Sequence, residues 1–222
     1  MSSHHIVREG QEPALIIANG DQCDVELLNQ LLEWSPFILV LDGALKEVLQ
    51  AGIKFDAVLG DFDELDIETI QAMIPPDTTI IHTPDQDKTD LEKGIEYLIQ
   101  RKFEAVNIVW ATGRRSDHYM NNIGIIARYY QQIKMVMLDD YSRIYAIESG
   151  FKKHVNKGDN FSLIPLNHVK NVKTENLVWN LNNSDLIYPF NTSSSNKIAE
   201  TGMLHVTFDS GVLLAMECHD LQ

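Results

Sequence analysis

Cysteine is nearly absent from this chain: Cys23 and Cys218 are its only two, and they follow no metal-ligand spacing. That argues against a disulfide-stapled scaffold or a cysteine zinc module, and leaves both thiols as expected buried side chains. Long apolar runs are missing too, since none approaches the roughly 20 residues that a membrane-spanning helix needs. The opening Met1-Ser2-Ser3-His4-His5 lacks the charged-then-apolar order of a secretion signal. The expectation is a soluble protein of the cytoplasm with no membrane partner. His4 and His5 are too few and too terminal to make a site. Positive charge is scarce, with 18 Lys and Arg against 32 Asp and Glu for a formal charge of −14. A nucleic-acid backbone demands a cationic face, so this balance argues against nucleic acid as a partner. Phosphate esters stay open to an acidic chain when metal ions bridge the like charges, and a dependence on Mg²⁺ for any nucleotide is expected. Repeats and low-complexity tracts are lacking beyond Ser193-Ser194-Ser195.

What is present is a regular alternation. Apolar runs of strand length at 14–18, 38–41, 57–59, 79–82, 106–110 and 135–138 are separated by helical patterns over 25–32, 44–51, 67–73, 91–99 and 116–130. Thr89-Asp90-Leu91-Glu92 reads as a capping box, with Thr89 capping the backbone and Glu92 reaching back. Leu91, Ile95, Leu98 and Ile99 follow as one apolar stripe, and Met120, Ile123, Ile126 and Tyr130 as another. Apolar strands alternating with helices predict a mostly parallel, Rossmann-like α/β/α sheet covered on both sides. From about Phe151 the pattern changes to short strands, at 161–165, 177–181, 204–208 and 212–216, with no helix between them. The expected class is therefore α/β, with an α/β domain over 1–148 and an antiparallel β-sandwich over 149–222.

Polar clusters fall where those first strands end. They are Asn19-Gly20-Asp21, Asp42-Gly43, Gly60-Asp61-Phe62-Asp63, the 85–90 run Asp-Gln-Asp-Lys-Thr-Asp, and the 113–118 run Gly-Arg-Arg-Ser-Asp-His. In an open parallel sheet, ligands collect beyond the carboxyl ends of the strands, where turns and helix N-termini converge. If the strand persists past Gly60, Asp61 and Asp63 point to one side, and the two carboxylates repel unless a hard cation such as Mg²⁺ sits between them. An isolated Asp-x-Asp is also an ordinary solvated turn. Asp90 either complements its helix, worth about 0.3–1 kcal/mol, or binds metal. Asp117 has the same two readings, His118 is a capping side chain or a proton carrier, and Gly20 and Gly43 permit tight turns. Arg114 and Arg115 are solvated charges or phosphate contacts.

Taken in order, Gly60-Asp61-Phe62-Asp63, then Asp85-Gln86-Asp87-Lys88-Thr89-Asp90-Leu91, then Gly113-Arg114-Arg115-Ser116-Asp117-His118 resemble the thiamine pyrophosphokinase (thiamine diphosphokinase) family. Trp179-Asn180-Leu181 and Ser193-Ser194-Ser195-Asn196 are similar to that family's second domain, so the likeness covers nearly the whole chain. The resemblance implies transfer of a pyrophosphoryl group from ATP to the thiamine hydroxyl, and a homodimer with active sites at the subunit interface. It implies Asp61, Asp63 and Asp90 as Mg²⁺ ligands, with Asp117 and Arg115 as further catalytic residues. Asn19, Gly20, Asp42, Gly43, Gly113, Arg115 and His118 would bind the nucleotide. Gln86, Asp117, Trp179, Ser193 and Asn196 would meet thiamine, although Trp179 is read rather as a filler of the sandwich core. Three positions depart from the family pattern: Ala44 and Arg114 replace glycines, and Glu64 replaces a serine. A metal-dependent nucleotide phosphohydrolase and a non-catalytic thiamine or nucleotide binder are the competing readings.

Overall fold

The computed structural model describes residues 12–63 and 67–219; His4, His5 and Glu64 lie outside them. The chain divides into two compact units, one of Met1–Ile125 with Tyr129–Met135 and one of Ile126–Arg128 with Val136–Gln222. In the first, strands β1 (Ala14–Ile17), β2 (Ile38–Leu41), β3 (Ala57–Gly60), β4 (Thr79–His82) and β5 (Ala105–Val109) form a sheet in the order β4-β3-β2-β1-β5. Every pair among them whose register is given is parallel, with Ile16 opposite both Leu39 and Ile108. β1, β2 and β3 are buried along their whole length, which is why they are written as unbroken Ala, Val, Leu and Ile rather than as an alternation. Helices α1 (Val25–Leu32), α2 (Leu45–Gln50), α3 (Ile67–Met73), α4 (Asp90–Gln100) and α5 (Ser116–Tyr129) alternate with the strands, and one 3₁₀ turn over Asp42–Ala44 leads into α2.

Helix α4 buries Leu91, Ile95 and Leu98 as its stripe predicts, and packs closely through Gly94 against Leu39, Leu41 and Ile16. Its capping box does not form. Thr89 makes no side-chain cap; its hydroxyl instead accepts from Asn121 Nδ2 at 3.4 Å, while the buried Glu92 accepts the Tyr129 hydroxyl at 2.9 Å. Tertiary partners on α5 outbid the local pairing. On α5, Ile123 and Ile126 are buried as expected, with Ile125 beside them, but Met120 is 60 % exposed, so the stripe begins one turn later than expected.

In the second unit, the end of β6 (Lys134–Leu138) pairs antiparallel with β7 (Ser142–Ile147) through Met137 and Leu138, and β7 continues through β13 (Leu213–Cys218) to β9 (Asn160–Pro165). A second sheet runs β11 (Ser184–Ile187), β10 (His168–Glu175), β12 (Gly202–Thr207), β8 (Phe151–Val155). Phe161, Leu163 and Leu213 from one sheet and Val172, Leu204 and Val206 from the other make the sandwich core. The strand expected at 177–181 is a bend. Asn180 Oδ1 accepts from Leu177 N–H at 3.0 Å and from the Thr174 hydroxyl at 3.1 Å, which closes the chain on itself. Among the described residues no helix is long and apolar enough to cross a membrane.

Candidate active site

The strand order places the switch point of the sheet between β1 and β5, because the chain runs outward from β1 to β4 and then returns to the other side of β1. Loops after β1 and β5 are stitched together there: the N–H of Gly20 donates to Trp110 O, that of Asp21 to Thr112 O at 2.9 Å, and that of Ala18 to Val109 O at 3.0 Å. Gly20 is required by this crowding, since a Cβ on it would collide with the backbone oxygens of Thr112 and Trp110. Three non-glycine residues at the same strand ends, Phe62 (φ 53°), Trp110 (φ 56°) and Arg114 (φ 47°), are held in the left-handed region. Each such conformation costs on the order of 1 kcal/mol or more and characteristically accompanies functional sites.

Around this point opens a cleft of about 510 Å³. Of the residues singled out from the sequence, Asn19, Gly20, Asp42, Gly43, Asp61, Gln86, Asp90, Gly113, Arg115 and His118 all line it. Asp42 follows β2 and accepts N–H from Gly43 on one oxygen, at 2.5 Å, and from Phe62 on the other, at 3.2 Å. Its carboxylate lies against Gly60, where any Cβ would strike it. Burial first, then repulsion from Asp90 and Asp61, pushes Asp42 up to about 6 against the pull of those two N–H groups. Asp90 is likewise raised, chiefly by burial, and is partly relieved by Lys93. Asp61 is lowered, first by Gln86, whose Nε2 donates to its Oδ2 at 2.8 Å, and also by Lys93.

Lys93 is a site residue that the sequence did not signal. On the buried face of α4 it reads as a lapse in the apolar stripe, yet its Nζ donates to Thr83 O at 2.9 Å and to Asp90 Oδ1 at 3.2 Å. Asn122, buried in the cleft wall and donating to Ala111 O at 2.9 Å, escaped notice for the same reason.

Asp63 does not line this cleft; it lines a second one that shares Asn19, Asp42, Gly43 and Asp61 with it. β3 ends at Gly60, and the positive φ of Phe62 breaks the extended alternation, so Phe62 is buried while Asp63 is exposed. Repulsion is felt by Asp42, from Asp90 and Asp61, and by Asp90, from Asp61, while Asp61 itself is lowered. Among the described residues no three acidic, histidine or cysteine side chains are close enough to enclose a metal by themselves. Repelling oxygen donors still fit a hard divalent ion, because Mg²⁺ usually takes one or two carboxylates and completes its shell with phosphate and water. Arg115 is engaged in a fork with Asp117, Nε to Oδ1 at 3.1 Å and Nη2 to Oδ2 at 2.6 Å. That fork holds Asp117 down at about 2, which makes it a weak proton acceptor. Arg114 turns back over the β1 loop, donating from Nη1 to Asn19 Oδ1 at 2.9 Å, with Nε 3.7 Å from Asp21.

In the second unit Trp179 is not a core filler: its side chain is 62 % exposed. Ser193 and Asn196 are buried beneath it. Asn196 Oδ1 accepts from Trp179 N–H at 3.1 Å, and Nδ2 donates to Trp179 O at 2.7 Å and to Ser193 Oγ at 3.0 Å. These two residues therefore hold the main chain that presents the indole.

Residues 28–138 match the model described as thiamin pyrophosphokinase, catalytic domain, and residues 148–213 the one described as thiamin pyrophosphokinase, vitamin B1 binding domain. The chain belongs to the thiamin pyrophosphokinase family. Thiamine pyrophosphokinase 1 of Oryza sativa subsp. japonica is 28% identical over 173 residues, 72% of this chain and 65% of that protein. Thiamine pyrophosphokinase 2 of Arabidopsis thaliana is 27% identical over 179 residues, 75% of this chain and 66% of that protein. The matches thus span just under two thirds of these plant relatives' length. In fold, the crystal structure of thiamine pyrophosphokinase from Bacillus subtilis superposes with a TM-score of 0.80 at 22% identity, covering 95% of this chain and 100% of that one.

Proposed function

We propose that this protein transfers the pyrophosphoryl group of ATP to the hydroxyl of thiamine, giving thiamine diphosphate and AMP. The observation that carries this reading, beside family membership, is the convergence of three carboxyl groups, Asp42, Asp61 and Asp90, in one cleft at the switch point of a parallel sheet, where burial and acidic neighbours push Asp42 and Asp90 up. Such a group is unfavourable alone and suits a metal-bound polyphosphate. Asp61 and Asp90, with Asp63 on the adjoining turn, would hold Mg²⁺. The ion, when bound, supplies charge neutralisation on the phosphate oxygens.

This chain's own residues do the positioning. Lys93 fixes Asp90 from within α4, Gln86 fixes Asp61, and Asn19 with Gly20 lets the phosphates approach the β1 loop. Arg115 and His118 place donors along the phosphate path. The hydroxyl oxygen of thiamine forms a bond to the β-phosphorus, the bond from that phosphorus to the α–β bridging oxygen breaks, AMP leaves, and the hydroxyl proton passes to water. Transfer of this kind depends mainly on alignment and charge neutralisation, so no strong base is needed, in keeping with the depressed Asp117. Trp179, held by Asn196, offers its indole to the cationic thiamine ring, an attraction worth roughly 0.5–2 kcal/mol. We propose a homodimer in which the active sites lie at the interface between subunits, a reading supported by the exposed Trp179 and Phe190.

The test is an assay with ATP, thiamine and Mg²⁺, in which AMP and thiamine diphosphate should appear in equal amounts. ADP with thiamine monophosphate would reject the reading, and AMP released without thiamine would mark a phosphohydrolase.

A further inference from the structure

Arg114 lines the first cleft, yet the mechanism above gives it no part. Its guanidinium folds back over the β1 loop, donating from Nη1 to Asn19 Oδ1 at 2.9 Å and to the Asn19 main-chain oxygen at 3.5 Å, with Nε 3.7 Å from the Asp21 carboxylate. That carboxylate also lies against Gly113, where any Cβ would strike it, so Asp21 is held beside the guanidinium it anchors. A left-handed backbone at φ 47° costs a non-glycine residue energy, and at Arg114 this cost is set against the contacts it makes to the β1 loop.

Those contacts decide how Asn19 is presented. A carboxamide has a donating end and an accepting end of nearly the same shape, and its direction is set by what surrounds it. A guanidinium only donates. With Arg114 in place the Asn19 oxygen must face it, and the amide nitrogen is sent the other way, against Gly43, where a Cβ would collide with it. Asn19 lines both clefts at the Asp42–Asp61 rim that they share. Among the described residues its Nδ2 donates to nothing, so it stands at that rim as a donor without an acceptor.

We propose that Arg114 is a positioning residue: it locks the Asn19 carboxamide so that a polyphosphate at the rim meets the N–H₂ group and never the carbonyl oxygen. This rests on the pyrophosphoryl-transfer reading for the class of ligand, and adds to it the residue that prepares one of the ligand's donors. A reversed amide would set its oxygen against phosphoryl oxygens and repel them, and the lock removes that state before the ligand arrives. Ordering one such side chain in advance is worth about 2- to 12-fold in affinity.

The test is a double-mutant cycle between Arg114 and Asn19. Calorimetry with Mg²⁺ gives the affinities for ATP and for inorganic tripolyphosphate. Arg114→Gly, which suits the left-handed backbone and should melt like the parent, should weaken both by about fivefold and by the same factor, since the phosphates are what Asn19 meets. Arg114→Lys, whose ammonium also only donates, should recover most of that loss. In an Asn19→Ala background, Arg114→Gly should change either affinity by less than about 1.5-fold, because no amide remains to be turned. A loss that persists undiminished in that background would show Arg114 acting on the ligand itself and would overturn the assignment. So would an Arg114→Gly protein that binds like the parent, or an Arg114→Lys protein no better than Arg114→Gly. None of these affinities requires turnover. A parent that binds ATP but transfers nothing would sink the functional reading and leave this one standing, whereas normal transfer with no loss on Arg114→Gly would sink this one alone.

Discussion

The carboxyl group of Asp42 should make the metal-free protein less stable as pH rises, and its amide should not. Asp42 is pushed from an ordinary aspartate value of 3.8 up to about 6 by burial and by Asp90 and Asp61. The folded state therefore binds more protons than the unfolded state between those values. The stability contributed by the protonated form is full below about pH 4 and is lost as pH passes through about 6. A difference of about two pH units at about 1.4 kcal/mol each sets a ceiling near 3 kcal/mol. Asp42 is only half-buried, and solvent screening cuts this to about 1 kcal/mol over the practical range of pH 4.5 to 8. Urea unfolding of the parent and of Asp42→Asn at both pH values measures it. Asparagine costs something at every pH, because its amide nitrogen must face the N–H of Gly43 or Phe62. The informative quantity is the change in separation between the two proteins. The parent should lose about 1 kcal/mol more than Asp42→Asn between pH 4.5 and pH 8. A separation that stays constant would refute the claim that Asp42 carries the excess proton. Mg²⁺ with ATP should flatten the parent's slope, since a cation at the rim favours the ionised form.

Gly20→Ala should destabilise by about 1–3 kcal/mol in a thermal melt, because the added methyl meets backbone oxygens of Trp110 and Thr112 that cannot swing aside. Asn196→Ala strips two hydrogen bonds from the Trp179 backbone and should cost about 2–4 kcal/mol by urea unfolding, whereas Trp179→Ala at the exposed indole should cost under about 1 kcal/mol. Arg115→Ala should let the Asp117 carboxyl, now held at about 2, rise toward the usual aspartate range in a carboxyl NMR titration; an unmoved Asp117 would show that the fork is not its cause. Lys93→Met should leave Asp90 without its partner and weaken Mg²⁺-dependent ATP binding several-fold, measured by calorimetry, with Lys93→Arg intermediate.

The parallel half was legible because burial on both faces forces continuous apolar strands, and because each one ends abruptly in Gly, Asn or Asp. The sandwich was only half legible. β10 is written His-Val-Lys-Asn-Val-Lys-Thr-Glu, with charges on its wet face and a register shift between Val169 and Val172, so it shows neither a clean alternation nor an apolar run. At the site, the carboxylates on strand ends were visible as clusters, but their grouping was not. One left-handed residue, Phe62, decides that Asp61 joins Asp42 and Asp90 while Asp63 faces water, and nothing in Asp-Phe-Asp announces that backbone state. Lys93 was hidden because its neighbours Leu91 and Ile95 make it look like an interruption of a core-facing helix. Asn196 was visible as a polar residue in a Ser-rich turn; that its amide is consumed internally depends on Trp179, seventeen positions away.

That last arrangement bears on how variants of this protein would be interpreted in cells. On the proposed reading, a screen for thiamine dependence would score changes at Asn196 and at Trp179 alike, as loss of function. Their origins differ. If the indole meets thiamine as proposed, its variant would accumulate as a well-folded protein of low affinity, and the asparagine variant would be depleted by proteolysis before affinity mattered. Measuring abundance beside growth would separate a lost recognition surface from a lost scaffold, and raised expression would rescue only the second.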